Sequence, residues 1–458
     1  MGNLAALARF HRDKSVRLAV AAVHRALVSV DPAVLVTQSV TIDDGISVRD
    51  IYGTVSRFQG FDKIYVAGAG KAAAAMADAL CALLGKRIAE GAISVPYGER
   101  TKIKKKIRSV IAVTEAAHPV PDSSGLEGAK KVLRLLRKVR RNDLLFFLVS
   151  GGGSALLPDP APGLRLSDKR RITDKLLRSG ATIQEMNVVR KHLSSIKGGQ
   201  ILRQMGDSCH VVSLILSDVI DDDLSAIASG PTCPDQSTFG DAIRIVRKYR
   251  AAPESDPAAK YLAEGTKGRG QETPKPGDPL FSKVHNVLIG NNTLACNAAV
   301  NYLRSQGLQT VYLGSRFDGE AKDFGTFLGQ LASDLYRKSP VPFAVVLGGE
   351  TTVSLGRNRT GTGGRNQEAA LACAIQMKEL PVAIATMGTD GIDGNSRVAG
   401  AIVSSKTFLM VRKTKLDLSK FLLLHDSYNA FRMLKSSIVT GRTGTNVNDI
   451  SLICAAAR

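Results

Sequence analysis

The chain has 458 residues, 44% of them apolar, which is enough for roughly two to three domains with real cores and excludes a disordered chain as the default reading. It carries 62 Lys+Arg against 41 Asp+Glu, a formal net charge of +21 with a pI near 9.8, so anionic partners are expected: a phosphorylated metabolite, a nucleotide, RNA or a membrane surface. The six cysteines stand singly with no C-x-x-C spacing, which suggests neither a zinc site nor a disulfide framework, and no run of eighteen apolar residues is present to span a membrane.

The N-terminus is basic, with one acid before Asp31, a composition that suits a transit peptide over residues 1–14. The stronger reading is a first domain helix, because residues 18–30 carry apolar positions at helical spacing and stop at Asp31-Pro32. A reducing compartment is expected, the cytoplasm first, with a mitochondrial or peroxisome-like organelle as the alternative. Short apolar runs then alternate with helical patterns. Strands are expected at residues 63–67, 110–113, 144–149 and 211–216, and after a gap at 284–289, 310–313, 343–347 and 382–386. Leu126, Ala129, Val132, Leu133, Leu136 and Val139 share one helical face, and residues 70–84, 292–306 and 320–337 behave alike. This order implies an α/β fold with parallel sheets covered by helices. The basic run at 102–108 (KIKKKIR) reads as a lysine-rich, solvated strand edge, since no aromatic platform for stacking bases stands beside it. Residues 266–279 (TKGRGQETPKPGDP) are polar and rich in Gly and Pro, which predicts an N-terminal domain over 1–265, a linker over 266–280 and a C-terminal domain over 281–458.

Ligands of parallel-sheet proteins bind at the carboxyl ends of the strands, so the loops leaving them carry the functional reading. The first is Gly68-Ala69-Gly70-Lys71 at a helix start. Two glycines and a lysine suit a phosphate, but the spacing is not that of a Walker loop. Ala73 also stands where a dinucleotide fingerprint has its third glycine, so tight packing and ligand binding are equal alternatives for Gly68 and Gly70. The next is Ser150-Gly151-Gly152-Gly153-Ser154, whose consecutive glycines favour an anion nest over a nucleophile elbow. His118, flanked by Pro119 and Pro121, reads as a structural or substrate-lining histidine rather than a hydrolase base. Asn187, Arg190 and Ser194 share a helical face that runs into Lys197-Gly198-Gly199, a second candidate phosphate contact. Asp218 and the acids Asp221, Asp222 and Asp223 follow the strand at 211–216, where carboxylates hold Mg²⁺, accept a hydroxyl proton or cap a helix.

Residues 348–368 (GGETTVSLGRNRTGTGGRNQE) form the richest stretch. An apolar strand runs into glycines interleaved with Arg357, Arg359 and Arg365, Glu350 lies in the opening loop, and a helix starting near Gly364 is expected to point its positive end at the same place. That is chemistry for an oxyanion. Further on, Asp390 and Asp393 in a glycine-rich turn are Mg²⁺ candidates, and residues 440–449 make another polar, glycine-punctuated loop.

Taken together, GAGKA, HPVPD, SGGGSALL, NVVRKHLSSIKGG, SDV followed by ASGPT, GGETTV with GGRNQE, GTDGIDG, DSY and TGTNVND resemble, in this order and over roughly residues 15–454, the glycerate 2-kinase family, whose C-terminal part is the MOFRL domain. The resemblance implies two three-layer α/β/α domains, the first Rossmann-like with a mainly parallel sheet, and an active site in the cleft between them. It also implies ATP- and Mg²⁺-dependent phosphorylation of D-glycerate to 2-phosphoglycerate, with Lys71 and Arg365 as active-site residues. Asp221, Arg397 and Arg442 depart from the family pattern, which has glycine, an acid and proline there. The working assignment puts Lys71 and Arg365 on the transferring phosphoryl group, Asp218 on the attacking hydroxyl and Asp390 on Mg²⁺. Gly68, Gly70, Ser150, Gly151, Gly152, Gly153, Ser154, Asn187, Arg190, Lys197 and Glu350 then hold the phosphates or the substrate carboxylate. Glycerate and ATP are the expected partners, with neither membrane nor nucleic acid, and a homodimer is compatible with the sequence. The competing readings are a kinase for another small hydroxy acid and a non-catalytic basic relative that binds nucleic acid.

Overall fold

The structure is a computed structural model that describes residues 2–4, 12–100, 104–356, 361–377 and 379–456. Helix α1 (Lys14–Ser29) opens on Asp13, whose carboxylate accepts the N–H groups of Ser15 and Val16 at 2.8 and 3.4 Å. It buries Val16, Ala19, Val20, Val23 and Leu27, and it packs against the helix Asn292–Ser305 and the strand Asp449–Ala455, far along the chain. The chain accordingly divides into two compact units, Pro32–Ile289 and a second made of Met1–Asp31 with Gly290–Arg458. The crossovers therefore differ from the expected division at 266–280. Residues of that segment are bound into the first unit: Pro274 O accepts from Asp235 N–H at 2.9 Å, and Glu272 accepts from Phe239 N–H at 3.0 Å and bonds His192 Nε2 at 2.8 Å. Its burial is polar, which is why no apolar period betrayed it.

The first unit begins with a three-stranded antiparallel sheet, β1 (Val40–Ile42), β2 (Ile46–Arg49) and β3 (Val55–Phe58). The main sheet follows as β4 (Ile64–Ala69), helix α2 (Ala73–Leu84), β5 (Ile88–Pro96), β6 (Ile111–Ala116), helix α3 (Ser123–Leu136) and β7 (Leu144–Val149). Helices α4 (Leu166–Arg178) and α5 (Ile183–His192), then β8 (His210–Leu216) and β9 (Val284–Gly290), complete it. Its spatial order is β6-β5-β4-β7-β8-β9, and β4 through β8 pair in parallel. Numbered from β4, that order is 3-2-1-4-5-6, the Rossmann arrangement, and the sheet's growth reverses between β4 and β7, which pair Ala69 with Val149 at their carboxyl ends. Tyr65, Ala67, Leu145, Phe147 and Val149 alternate onto one face and share a core with Ala129, Val132, Leu133 and Leu136 of α3. Each large side chain buried there stabilises the fold by about 1.5–3 kcal/mol before entropy is counted. Strand β5 escapes the sequence pattern because Glu90, Gly91 and Ser94 break its apolar run. The basic run is not a strand edge: Lys105–Arg108 is a short helix that buries Ile107, and residues 101–103 lie outside the described residues.

In the second unit α1 is joined by α6 (Asn292–Ser305), β10 (Gln309–Phe317), α7 (Ala321–Lys338), β11 (Phe343–Gly349), α8 (Arg365–Gln376), β12 (Ala383–Gly388), β13 (Gly400–Val403), β14 (Ser437–Ile438) and β15 (Asp449–Ala455). The order is β10-β11-β15-β12-β13-β14. Strands β10 and β11 are parallel, as expected, but β15 enters between β11 and β12 antiparallel to both, so this sheet is mixed. All seven residues of β15 are buried, which suits a central strand covered on both faces. Among the described residues no single helix is long and apolar enough to cross a membrane.

Candidate active site

In the first unit the loops after β4 and β7 leave the sheet side by side at the point where its order reverses. Gly70 N–H donates to Ser94 O at 3.2 Å, Lys71 N–H to Gly151 O at 2.9 Å, and Ala72 N–H to Ser150 Oγ at 3.0 Å. Lys71 is thus held by its backbone at the entrance to α2. Gly68 and Gly70 both have φ of 145°, and a Cβ on either would overlap Leu148 O or Ser150 Oγ. These two glycines serve the close contact with the neighbouring strand and loop. Gly152 has φ of 82°, and a Cβ there would stand 2.9 Å from the His118 ring, so His118 lies against the glycine loop.

The same loop is tied to two others. Lys197 Nζ donates to both the carbonyl and the hydroxyl of Ser154 at 2.7 Å, and Ser154 Oγ lies 3.0 Å from Ser229 Oγ. Ser229 Oγ donates to Asn187 Oδ1 at 3.1 Å, while Gly198 N–H and Gly199 N–H donate to Ser229 O and Gly230 O at 3.0 and 2.9 Å. Residues 150–154, 187–199 and 228–231 therefore form one knitted cluster. Lys197 is almost fully buried, and burial drives its pKa well down, with Lys169 and Arg190 pushing the same way. Lys169 was not singled out by sequence reasoning, since it stands among several other basic residues of α4. Its signal was phase: Lys169, Ile172 and Leu176, at i, i+3 and i+7, are all buried.

Asp218 sits half-buried two residues beyond β8, after Ser217, whose hydroxyl accepts Val219 N–H at 3.3 Å. The following Asp221 and Asp222 have φ of 70° and 54°, in the left-handed region that favours glycine, the residue expected at 221. Asp221→Gly is expected to raise stability by about 0.5–1 kcal/mol in chemical denaturation, the relief of backbone strain exceeding the entropy cost of glycine. An unchanged or lower midpoint would count against strain at this position.

In the second unit Arg365, the first residue of α8, donates to Asp449 through Nε and one Nη at 2.6 and 3.0 Å, and to Glu350 through the other Nη at 2.7 Å. Burial pushes the Asp449 carboxyl upward against the pull of Arg365, and the forked geometry keeps both partners ionised. The N-terminus of α8 is not an open anion site. Asn366 N–H and Gln367 N–H end on the buried Asp393 carboxylate at 3.0 and 2.8 Å, and Gln367 Nε2 joins them at 2.9 Å. Asp393, expected as a Mg²⁺ candidate, is instead the anion that caps this helix. Arg357 and Arg359 lie outside the described residues. Asp390 is half-buried in its turn, with Oδ1 accepting Ile392 N–H at 3.1 Å and its carbonyl accepting Thr443 N–H at 3.2 Å. The 389–394 and 440–448 loops are joined again by Val447 N–H to Thr389 Oγ1 at 2.8 Å, and Asn292 Nδ2 reaches Val447 O at 2.7 Å. Asp449 and its clamp on Arg365 were not foreseen, since the pair is 84 residues apart in sequence.

Among the described residues no group of three or more His, Cys, Asp or Glu side chains is placed to hold a metal.

Residues 18–263 match the family model described as a domain of unknown function, DUF4147, and residues 343–449 match the MOFRL family. A protein of Pyrococcus horikoshii named glycerate 2-kinase is 38% identical over 95% of this chain and 96% of its own length. A protein of Agrobacterium vitis provisionally named a hydroxypyruvate reductase is 40% identical over 85% of this chain and 86% of its own. The crystal structure of a glycerate kinase from Thermotoga maritima superposes with a TM-score of 0.82 at 34% identity, covering 96% of this chain and 99% of that one. With both family models matched in order and full-length relatives above 30% identity, the chain belongs to the glycerate 2-kinase family with a C-terminal MOFRL domain.

Proposed function

We propose that this chain transfers the γ-phosphoryl group of ATP to the 2-hydroxyl of D-glycerate, giving 2-phosphoglycerate and ADP. The observation that carries the reading is the position of Lys71, fixed by its backbone to Gly151 at the reversal point of a Rossmann-ordered sheet, beside the Ser150–Ser154 loop. The names of the relatives in Pyrococcus and Thermotoga support the same chemistry. Phosphoryl transfer asks little covalent chemistry of a protein; it asks for placement and charge. The Lys71 ammonium balances the charge on the transferring group. Asp218, half-buried beyond β8, orients the 2-hydroxyl and takes its proton as the new P–O bond forms and the bond to the ADP oxygen breaks. Arg365 has five N–H donors, three of them committed to Asp449 and Glu350, which leaves two for a phosphate oxygen. Mg²⁺, when bound, would neutralise charge on the nucleotide phosphates, and Asp390 is the carboxylate assigned to hold it.

The test mixes protein, ATP, Mg²⁺ and D-glycerate and couples the product to enolase with no phosphoglycerate mutase present. Immediate phosphoenolpyruvate formation is expected. A signal that appears only after mutase is added would mean the 3-phospho product and overturn the assigned regiochemistry. Reductase chemistry, the name given to the Agrobacterium relative, finds less support in the site. Gly68 and Gly70 are closed against Leu148 and Ser150 rather than opened toward a pyrophosphate, and Ala73 replaces the third glycine of a dinucleotide loop. NADH consumption with hydroxypyruvate is accordingly expected to stay at background.

A further inference from the structure

The first unit sets two buried lysines, Lys169 and Lys197, near the half-buried Arg190 and gives these cations little to neutralise them. Lys169 of α4 is 6% exposed, and its Nζ has no hydrogen-bond partner among the described residues. The charged groups acting on it are Arg190 of α5 and Asp159, from the loop before α4. Lys197, from the turn after α5, feels both Lys169 and Arg190. Asp159 is already engaged: its carboxylate accepts from Ser195 Oγ, and its carbonyl accepts Ser194 Oγ and Ser195 N–H at 2.9 and 3.1 Å. Burial, reinforced by Arg190 and opposed by Asp159, pushes the Lys169 ammonium down to about 7. A buried ammonium without a partner costs the fold solvation energy and returns nothing while the site is empty. Such an arrangement is explained by an anion that arrives with the ligand.

We propose that Lys169 binds the carboxylate of the hydroxy-acid substrate, completing with Arg190 and Lys197 a buried site for one compact anion; this rests on the function proposed above. The near-complete enclosure of Lys169 suits a small carboxylate better than the extended phosphate chain of a nucleotide. Arg190 adds a planar fork matched to two carboxylate oxygens. Lys197, bonded to Ser154, ties this site to the glycine loop beside Lys71.

The assignment is tested with Lys169→Met, which keeps the length of the side chain and removes the charge. Steady-state kinetics should show the KM for D-glycerate raised by about 10- to 100-fold, in line with loss of one hydrogen bond to a charged group, and the KM for ATP changed less than about twofold. The melting temperature should hold or rise, since an unpaired buried charge has been replaced by an apolar chain. Calorimetric titration of D-glycerate at pH 8 in buffers of different ionisation enthalpy should show more proton uptake by the wild-type protein than by the variant, in which Lys197 is the one depressed ammonium left in the site. That signal arises because the arriving anion recharges Lys169, and a residue that only supports the fold would not produce it. A KM increase confined to ATP would reassign the site to a nucleotide phosphate and overturn the proposal. So would unchanged glycerate kinetics with a lowered melting temperature, which would make Lys169 a structural residue. If the wild-type protein phosphorylates a different hydroxy acid and the variant loses affinity for that acid, the carboxylate site stands and only the glycerate reading falls.

Discussion

Lys71→Ala is expected to lower kcat for glycerate phosphorylation by about 10³-fold, a loss of about 4 kcal/mol of transition-state stabilisation, while changing the KM for ATP far less. The size follows from the role: a preorganised cation aimed at charge that develops during transfer contributes mainly in the transition state, so its removal appears in kcat. The local backbone should survive the change, since alanine keeps the N–H that donates to Gly151 O and the neighbouring Ala72 N–H still donates to Ser150 Oγ. An unaltered thermal transition beside the drop in kcat is therefore part of the expected result. Wild-type turnover by a purified, folded Lys71→Ala protein would remove the central catalytic assignment.

How far this could be read from sequence depended on whether the deciding contact was local. Strand β7 was legible to the residue, because a strand covered on both faces is a continuous apolar run, here Leu144–Val149, bounded by polar residues. The loops after β4 and β7 were legible too, since glycines and a lysine at a strand end say where backbone and charge come close. What those glycines do was not. Gly68 and Gly70 look equally suited to a phosphate and to a neighbouring strand, and only the register of β4 on β7 shows that Leu148 and Ser150 occupy the space. The departure of α1 to the second unit and the insertion of β15 into the centre of that sheet are pairings at long sequence separation, on which periodicity is silent. The same holds for charge. Asp393 looked like a metal ligand until folding placed it over the N–H groups of Asn366 and Gln367, and residue type alone does not set Lys169 apart from the other basic residues of its helix.

Arg365→Ala is expected to cost both activity and stability, and the two losses can be separated. The substitution leaves Asp449, nearly buried, without the guanidinium that pairs with it through two hydrogen bonds, and it leaves Glu350 without its partner. Because the arginine itself is 31% exposed, the penalty should fall below that of a fully buried pair, at about 2–3 kcal/mol in chemical denaturation. Asp449 already titrates at about 6 with Arg365 present, pushed up by burial, and removing the cation raises it further. A carboxyl raised in the folded state binds a proton there that the unfolded chain has released. The variant should therefore lose stability as pH rises from the unfolded carboxylate range near 4 through 6 and beyond, and stability should be highest at the acidic end of that window. Adding Asp449→Asn removes the orphaned charge, so the double variant should recover most of the stability and lose the pH slope. Its turnover is the decisive reading. Among the described residues two of the arginine's N–H donors are uncommitted, and if they hold a phosphate oxygen, the double variant folds well and still turns over at least about 10²-fold more slowly than wild type. Recovery of turnover together with stability would reduce Arg365 to a residue that positions Asp449 and Glu350, and the phosphoryl charge would then have to be met without it.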